Sequence, residues 1–418
     1  MKKNLFILLG VTIVCLGLLE VGLRISLRDV LFLKDHRDDM FWERSPEFGW
    51  TKRPNSSGYF SNGFYQGYVV NDMDGNRRNS DEGTFQPGFR NILFLGDSTT
   101  VSLEVNNDQT VPAILEQELR RQGLKVNVIN LGVRGYGTDQ SVRKAIHFAG
   151  KYGPVEIIYM YCDNDIADNN VIKNGYRKYG KGVYLRNEDG AFEPYNYPVP
   201  EYAFNFAGIV LIDTEGRPVI HETMLPEKDF ETRELGDKIK YYMKKYLYIR
   251  RAISFIQDKL KMKARAKDIM PGIGEMDPFA MIRDGIDWDG GFALAYMDGG
   301  RIRQQHKDYF HAQMRFLLLM LRKEIDGLKR LHVVRFPSEN EMKQAQQNAS
   351  VNEELFNNLL NDGVIDSHVD LNRALLAEKI DIRKLRAEGD HHFSALGNGW
   401  ITDHITRDID FNQEWLRE

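Results

Sequence analysis

A hydroxyl, a run of glycines, a carboxamide and an acid–imidazole pair stand in four short segments of this sequence. Gly96-Asp97-Ser98-Thr99 closes the apolar run Asn91–Leu95, and Asn130-Leu131-Gly132-Val133-Arg134-Gly135-Tyr136-Gly137 closes a second run at Lys125–Leu131. Cys162-Asp163-Asn164-Asp165 follows a third run at Val155–Tyr161, and Asp390-His391-His392-Phe393-Ser394 lies near the C-terminus. Acyl transfer calls for that set. A serine hydroxyl is a poor nucleophile until a base takes its proton, and the base must be held in the right tautomer by an acid. The carbonyl oxygen becomes an oxyanion and needs fixed donors, commonly backbone N–H groups and a side-chain amide. Each feature alone has an ordinary explanation. Gly-Asp-Ser makes a good turn and helix cap, Asn164 suits an Asx turn, Gly135 a positive φ, and Asp390 with His392 a surface pair. Found together, in order and after successive strands, they agree on one active site.

The elements that must position these groups are legible as a rhythm. Short apolar runs at Asn91–Leu95, Lys125–Leu131 and Val155–Tyr161 read as strands buried on both faces. Helical segments at Val111–Arg121 and Ser141–Phe148 alternate with them, and Gly123 is placed to stop the first. The alternation returns with a helix at about 301–328, a strand at His332–Phe336, a helix at about 350–361, a strand at Val364–Asp366 and a helix starting near Ser394. Strand–helix alternation predicts an α/β fold around a parallel sheet, with ligands bound outside the carboxyl ends of the strands. All four chemical segments then fall on one rim.

Those segments resemble the four blocks of the SGNH/GDSL hydrolase family, over about 90–168 and 330–410 and in the family order. Ser98 in the GDS triplet matches the nucleophile. Gly135 matches the glycine whose N–H joins that of Ser98 in the oxyanion hole, and Asn164 matches the asparagine that completes it. His392, followed by Phe393-Ser394 and then Gly397, matches the base, with Asp390 as its orienting acid; its spacing to Phe393-Ser394 favours it over His391. The sequence departs from the family at Cys162, where a glycine is usual, and at Gly389, three residues before the histidine, where the acid often stands. Glu388 is therefore the competitor of Asp390. Asn71–Arg77 is also similar to a stretch that precedes the core in membrane-anchored members. The resemblance implies a flavodoxin-like three-layer α/β/α fold and a serine esterase working through an acyl-Ser98 intermediate, on O-acetyl or similar esters of a glycan or lipid. Its variant is an O-acyltransferase to a glycan, supplied by a membrane-bound acyl donor protein. A reading of another class is a glycan- or lipid-binding envelope protein without turnover, which has no need of an activated hydroxyl.

The rest of the chain sets the context. It has 418 residues, 42% hydrophobic and 28% charged, enough for a large core and an insertion. A net charge of −4 gives no electrostatic footprint for nucleic acid. His306 and His311 are five apart, which takes them off a common helix face, so no metal is expected, and no cofactor. With two cysteines, Cys15 in an apolar run and Cys162 after a strand, no structural disulfide is expected. Lys2 and Lys3 precede an apolar run at Leu5–Leu19 broken by Thr12, the layout of an export signal. Without a following A-x-A-like site, it reads as an uncleaved single-pass anchor over 1–25, N-terminus inside and the catalytic domain extracytoplasmic. Residues 26–89 then form an extension with short strands, 90–168 and 301–418 the two parts of the core, and 169–300 an insertion capping the sheet. Within the insertion, the basic segment 238–267 carries an apolar stripe at helical spacing, as a solvated helix packed on the core does. A helix resting on anionic lipid is its alternative.

Overall fold

The computed structural model describes residues 2–26, 41–61, 65–162, 164–170, 180–187, 189–199, 304–336, 351–388 and 390–417, with isolated stretches between 210 and 302. The N-terminal segment is a helix, α1 (Lys2–Ser26). Two antiparallel hairpins follow: β1 (Trp42–Ser45) with β2 (Gly49–Lys52), and β3 (Ser57–Ser61) with β4 (Gln66–Val70). The core then runs β5 (Arg90–Leu95), α2 (Ser98–Val101), α3 (Val111–Arg121), β6 (Val126–Asn130), α4 (Thr138–Tyr152), β7 (Pro154–Tyr161) and α5 (Asp165–Asp168). After a hairpin of β8 (Val183–Arg186) and β9 (Phe192–Tyr195), it resumes with α6 (Gln304–Glu324), β10 (Arg330–Arg335) and α7 (Val351–Asn361). It ends with β11 (Ser367–Asp370), α8 (Leu371–Glu378) and α9 (Ala395–Asp408).

One five-stranded parallel sheet, in the order β11-β10-β7-β5-β6, forms the centre. Counting sheet strands along the chain, this is the 2-1-3-4-5 order of a flavodoxin-like fold, with its switch point between β5 and β7. Because side chains alternate across a strand, each strand feeds both faces. Leu93, Leu95, Ile157, Tyr159, Leu331 and Val333 pack under α4, α6 and α7. Ile92, Phe94, Ile158, Met160, Val334 and Val369 pack under α3, α8 and α9. The predicted three layers are present.

The differences from the predicted elements have local causes. Val364 and Ile365 are buried but lead into the strand, which forms at Ser367–Asp370 instead. That edge strand reads Ser-His-Val-Asp, too polar and short to show as an apolar run. Asp370 then caps α8, a helix the periodicity did not reveal, by accepting from the N–H groups of Asn372 and Arg373. The insertion at 169–300 and its basic segment lie largely outside the described residues.

A spanning N-terminal anchor is not supported. The helix is there, but among the described residues no helix is long and apolar enough to cross a membrane. The C-terminal part of α1 is turned to protein: Glu20 pairs with Arg24 and accepts hydrogen bonds from the backbone N–H groups of Tyr248 and Ile249 at 2.9 and 3.0 Å. Ahead of it, Ile7, Leu8, Val11, Ile13 and Val14 are exposed. Both cysteines are free thiols.

Candidate active site

Ser98 is the first residue of α2, immediately beyond the end of β5. The chain turns there at Gly96, whose φ of +145° no ordinary side chain favours. A Cβ at Gly96 would also lie 2.1 Å from Oγ1 of Thr100 and 2.9 Å from the Met160 carbonyl. Asp97 caps the helix, its Oδ1 accepting from the N–H and hydroxyl of Thr99 at 2.9 and 2.8 Å. Its Oδ2 accepts the Ser98 hydroxyl at 3.2 Å.

The imidazole of His392 is buried, 2% exposed, whereas His391 beside it is 71% exposed. Nδ1 of His392 lies 2.6 Å from Oδ1 of Asp390, which also accepts the His392 backbone N–H at 3.1 Å. A two-residue separation thus lets one carboxylate fix both backbone and ring. Oδ2 of Asp390 accepts the hydroxyl of Tyr65 at 2.7 Å. Burial alone would raise the Asp390 pKa. The hydrogen bonds from His392 and Tyr65, with the His392 charge, outweigh it and hold the carboxyl well below its ordinary value. Conversely, burial and the Glu104 and Asp390 carboxylates push the Tyr65 phenol far above its usual range, so it remains a donor. Nε2 of His392 is buried with no hydrogen-bond partner among the described residues. The Ser98–His392 bond is not made in this arrangement; the hydroxyl rests on Asp97. Glu388, the competing acid, is exposed.

Gly135 has a φ of +78° and sits in a loop held from both sides. Before it, the Arg134 carbonyl accepts from Nε1 of Trp50 at 3.2 Å, and its guanidinium reaches Oε1 of Glu104 at 3.1 Å. After it, the Tyr136 hydroxyl donates to the Trp50 carbonyl. Asn164 follows β7 at the start of α5, across the switch point from Ser98. It is exposed, and its amide donates to Oδ2 of Asp168 at 2.7 Å. Ser98, Gly135 and Asn164 therefore lie beyond three adjacent strand ends, while Asp390 and His392 come from the loop before α9.

Two contributors have no mark in the sequence pattern. Tyr65, just before β4, reaches the acid from the N-terminal hairpins. Glu104, six residues after Ser98, is completely buried and puts Oε1 3.2 Å from Nδ1 of His392. The stretch Asn71–Arg77 braces the turn that carries Glu104. Asp72 folds it by accepting the N–H groups of Asp74 and Asn76 at 2.9 and 2.8 Å. The buried Arg77 then donates to the carbonyls of Val101, Ser102 and Val105 and to Oδ1 of Asn107.

Asp390, His391 and His392 offer ligand atoms within 4.8 Å of one another. The shortest of those separations is the Asp390–His392 hydrogen bond, the arrangement of a held imidazole. No protein-family model matches this chain, and no curated protein does. Among solved structures, a lipase/acylhydrolase from Enterococcus faecalis aligns with 76% of this chain and 94% of its own, at 10% identity and a TM-score of 0.35. That likeness is too distant to bear on the activity.

Proposed function

We propose that this chain is a serine ester hydrolase of the SGNH/GDSL type, with Ser98 as nucleophile, His392 as base and Asp390 as the acid that orients it. One observation carries the reading: a buried imidazole whose Nδ1 is held by a carboxylate and whose Nε2 has no partner among the described residues. Nε2 of the buried His332 also lacks a hydrogen-bond partner among the described residues, but its Nδ1 meets the Ser367 hydroxyl, so it is the Asp390 carboxylate on Nδ1 that marks His392. A base keeps one ring nitrogen free for the proton it will take. In the reaction, the Ser98 hydroxyl leaves Asp97, gives its proton to Nε2 and attacks the acyl carbonyl. Asp390 stabilises the imidazolium without itself taking the proton. The N–H groups of Ser98 and Gly135 receive the oxyanion, and the amide of Asn164 joins them once it turns from Asp168. His392 returns its proton to the leaving alcohol, and water, activated by the same nitrogen, releases the acyl group from Ser98.

The same acyl-enzyme passes its group to a sugar hydroxyl if that acceptor outcompetes water, with a membrane-bound acyl donor protein as the source. We place the substrate among acyl esters of envelope glycans or lipids, and the protein at the cell membrane with its catalytic domain extracytoplasmic. The support is the Lys2-Lys3 start and the exposed apolar residues of α1, which find no cover in the described fold. The decisive experiment is labelling of the purified protein with a fluorophosphonate, with hydrolysis of p-nitrophenyl acetate followed in parallel. Labelling and turnover should both vanish in Ser98→Ala. Equal labelling of that variant removes Ser98 from the mechanism.

A further inference from the structure

The inference rests on the reading of His392 as the base. We propose that Glu104 is a positioning residue of this site, a second carboxylate on Nδ1 of His392 that ties the base to the glycine loop. Nδ1 has one hydrogen to give. Asp390, at 2.6 Å, takes it, and Glu104, at 3.2 Å, stands beside it as a second anion. The Glu104 side chain is wholly buried, and its Oε2 has no hydrogen-bond partner among the described residues. Burying a carboxylate is costly even with one oxygen paired, as Oε1 is with Arg134, so its stability contribution is small and a role at the ring accounts for it better.

Its placement is over-determined. Arg77 grips the carbonyls of Ser102 and Val105 on either side of it. The β3–β4 hairpin presses on the same backbone at Gly67, where a Cβ would lie 2.4 Å from the Leu103 carbonyl and 2.6 Å from that of Val105. Oε1 faces His392 and, at 3.1 Å, the guanidinium of Arg134, the residue before Gly135. The Tyr65 hydroxyl, bonded to Asp390, stands 3.4 Å from the same oxygen. The negative end of the Glu104–Arg134 ion pair is thus turned to the ring that becomes an imidazolium, and its positive end holds the loop that receives the oxyanion. Among the described residues, the charged and titratable groups around the ring are Asp390, Glu104, Tyr65 and Arg134, with His391 tilted against it at 4.0 Å between centroids and Arg386 nearby on the same loop.

Removing the Glu104 charge destabilises the imidazolium and lowers the pKa of the base. The acid limb of the rate profile therefore moves to lower pH, by about one unit. The plateau falls about threefold, because only part of the tenfold loss in basicity is felt in the proton-transfer transition state. The experiment measures kcat/KM for p-nitrophenyl acetate, and the fluorophosphonate labelling rate, from pH 4 to 9. Glu104→Gln should shift both acid limbs down, and Glu104→Asp should restore part of the shift. Arg134→Gln should shift them up, since it unmasks the Glu104 charge, and this variant decides the matter if Glu104→Gln does not fold. Lower activity with an unmoved acid limb in both overturns the proposal and assigns Glu104 a structural role. A wild-type protein that neither turns over nor labels instead removes the reading of the site, and this inference with it.

Discussion

At the scale of single residues, the site turns on which carboxylate serves the base. The sequence offered Asp390 and Glu388. Asp390 meets Nδ1 of His392, while Glu388 is exposed, because a two-residue spacing in a tight loop lets the carboxylate fold back over the ring and its own backbone. Replacing Asp390 with Asn should cut kcat by up to about 10⁴-fold, the cost known for the same change in a serine-protease triad. Glu388→Gln should change it little. Thermal unfolding gives an independent check. The folded state holds the Asp390 pKa below its unfolded value, so its contribution to stability is complete above the ordinary carboxylate pKa. That contribution is lost as pH falls below that value. Asp390→Asn should therefore lower the melting temperature at pH 7, with the gap from wild type closing towards pH 2. A gap independent of pH, or a crippled Glu388→Gln enzyme, would put the acid elsewhere.

At the scale of elements, the strand ends carrying Ser98, Gly135 and Asn164 were readable, and so was the order of sheet and helices around them. A buried parallel strand announces itself as an apolar run, and the chemical residues stand directly after those runs. What was not readable depends on approach in space. Tyr65 lies among aromatics and glycines of a hairpin, and nothing in its spacing says that it reaches a loop 325 residues away. Glu104 follows α2 in an unpatterned turn, and only packing buries it. Arg77 makes that turn possible by accepting the role of a C-terminal cap for α2. It takes up the Val101 and Ser102 carbonyls that a helix end leaves open. Ser102, at φ +46°, closes the helix in the left-handed region. Lysine at position 77 keeps the charge but not the fork of donors, leaving buried carbonyls unsatisfied. Arg77→Lys should cost about 3 kcal/mol in urea unfolding. It should also depress kcat through misplaced Glu104 and Ser98. Unchanged stability would mean that the Arg77 contacts are dispensable to the turn.

For the molecule as a whole, the sheet and every residue assigned a role lie between residues 41 and 398, and α1 precedes them all. On the proposed reading α1 contributes no residue to catalysis, and its apolar residues Ile7, Leu8, Val11, Ile13 and Val14 are exposed. A lipid bilayer would cover them at about 25 cal/mol per Å² of apolar surface removed from water. On the proposed placement at the membrane, Lys2 and Lys3 stay on the cytoplasmic side by the bias that keeps basic residues there. Glu20, which accepts from Tyr248 and Ile249, would mark the point at which the helix passes from lipid to protein. Three outcomes follow together. The full chain should sediment with membranes and resist alkaline carbonate extraction. Removing residues 1–26 should release a soluble protein with esterase activity within about threefold of the full chain, since effects outside the site and core are small. Alkaline phosphatase fused after Glu418 should be active in the full chain, because that enzyme works only when exported, and inactive in the truncated one. A full-length chain recovered in the soluble fraction after lysis without detergent would exclude lipid as the cover of α1. Sedimentation followed by release in carbonate would leave the helix lying on the membrane surface rather than held within it. An inactive phosphatase fusion on a sedimenting chain would instead turn the catalytic domain to the cytoplasmic side.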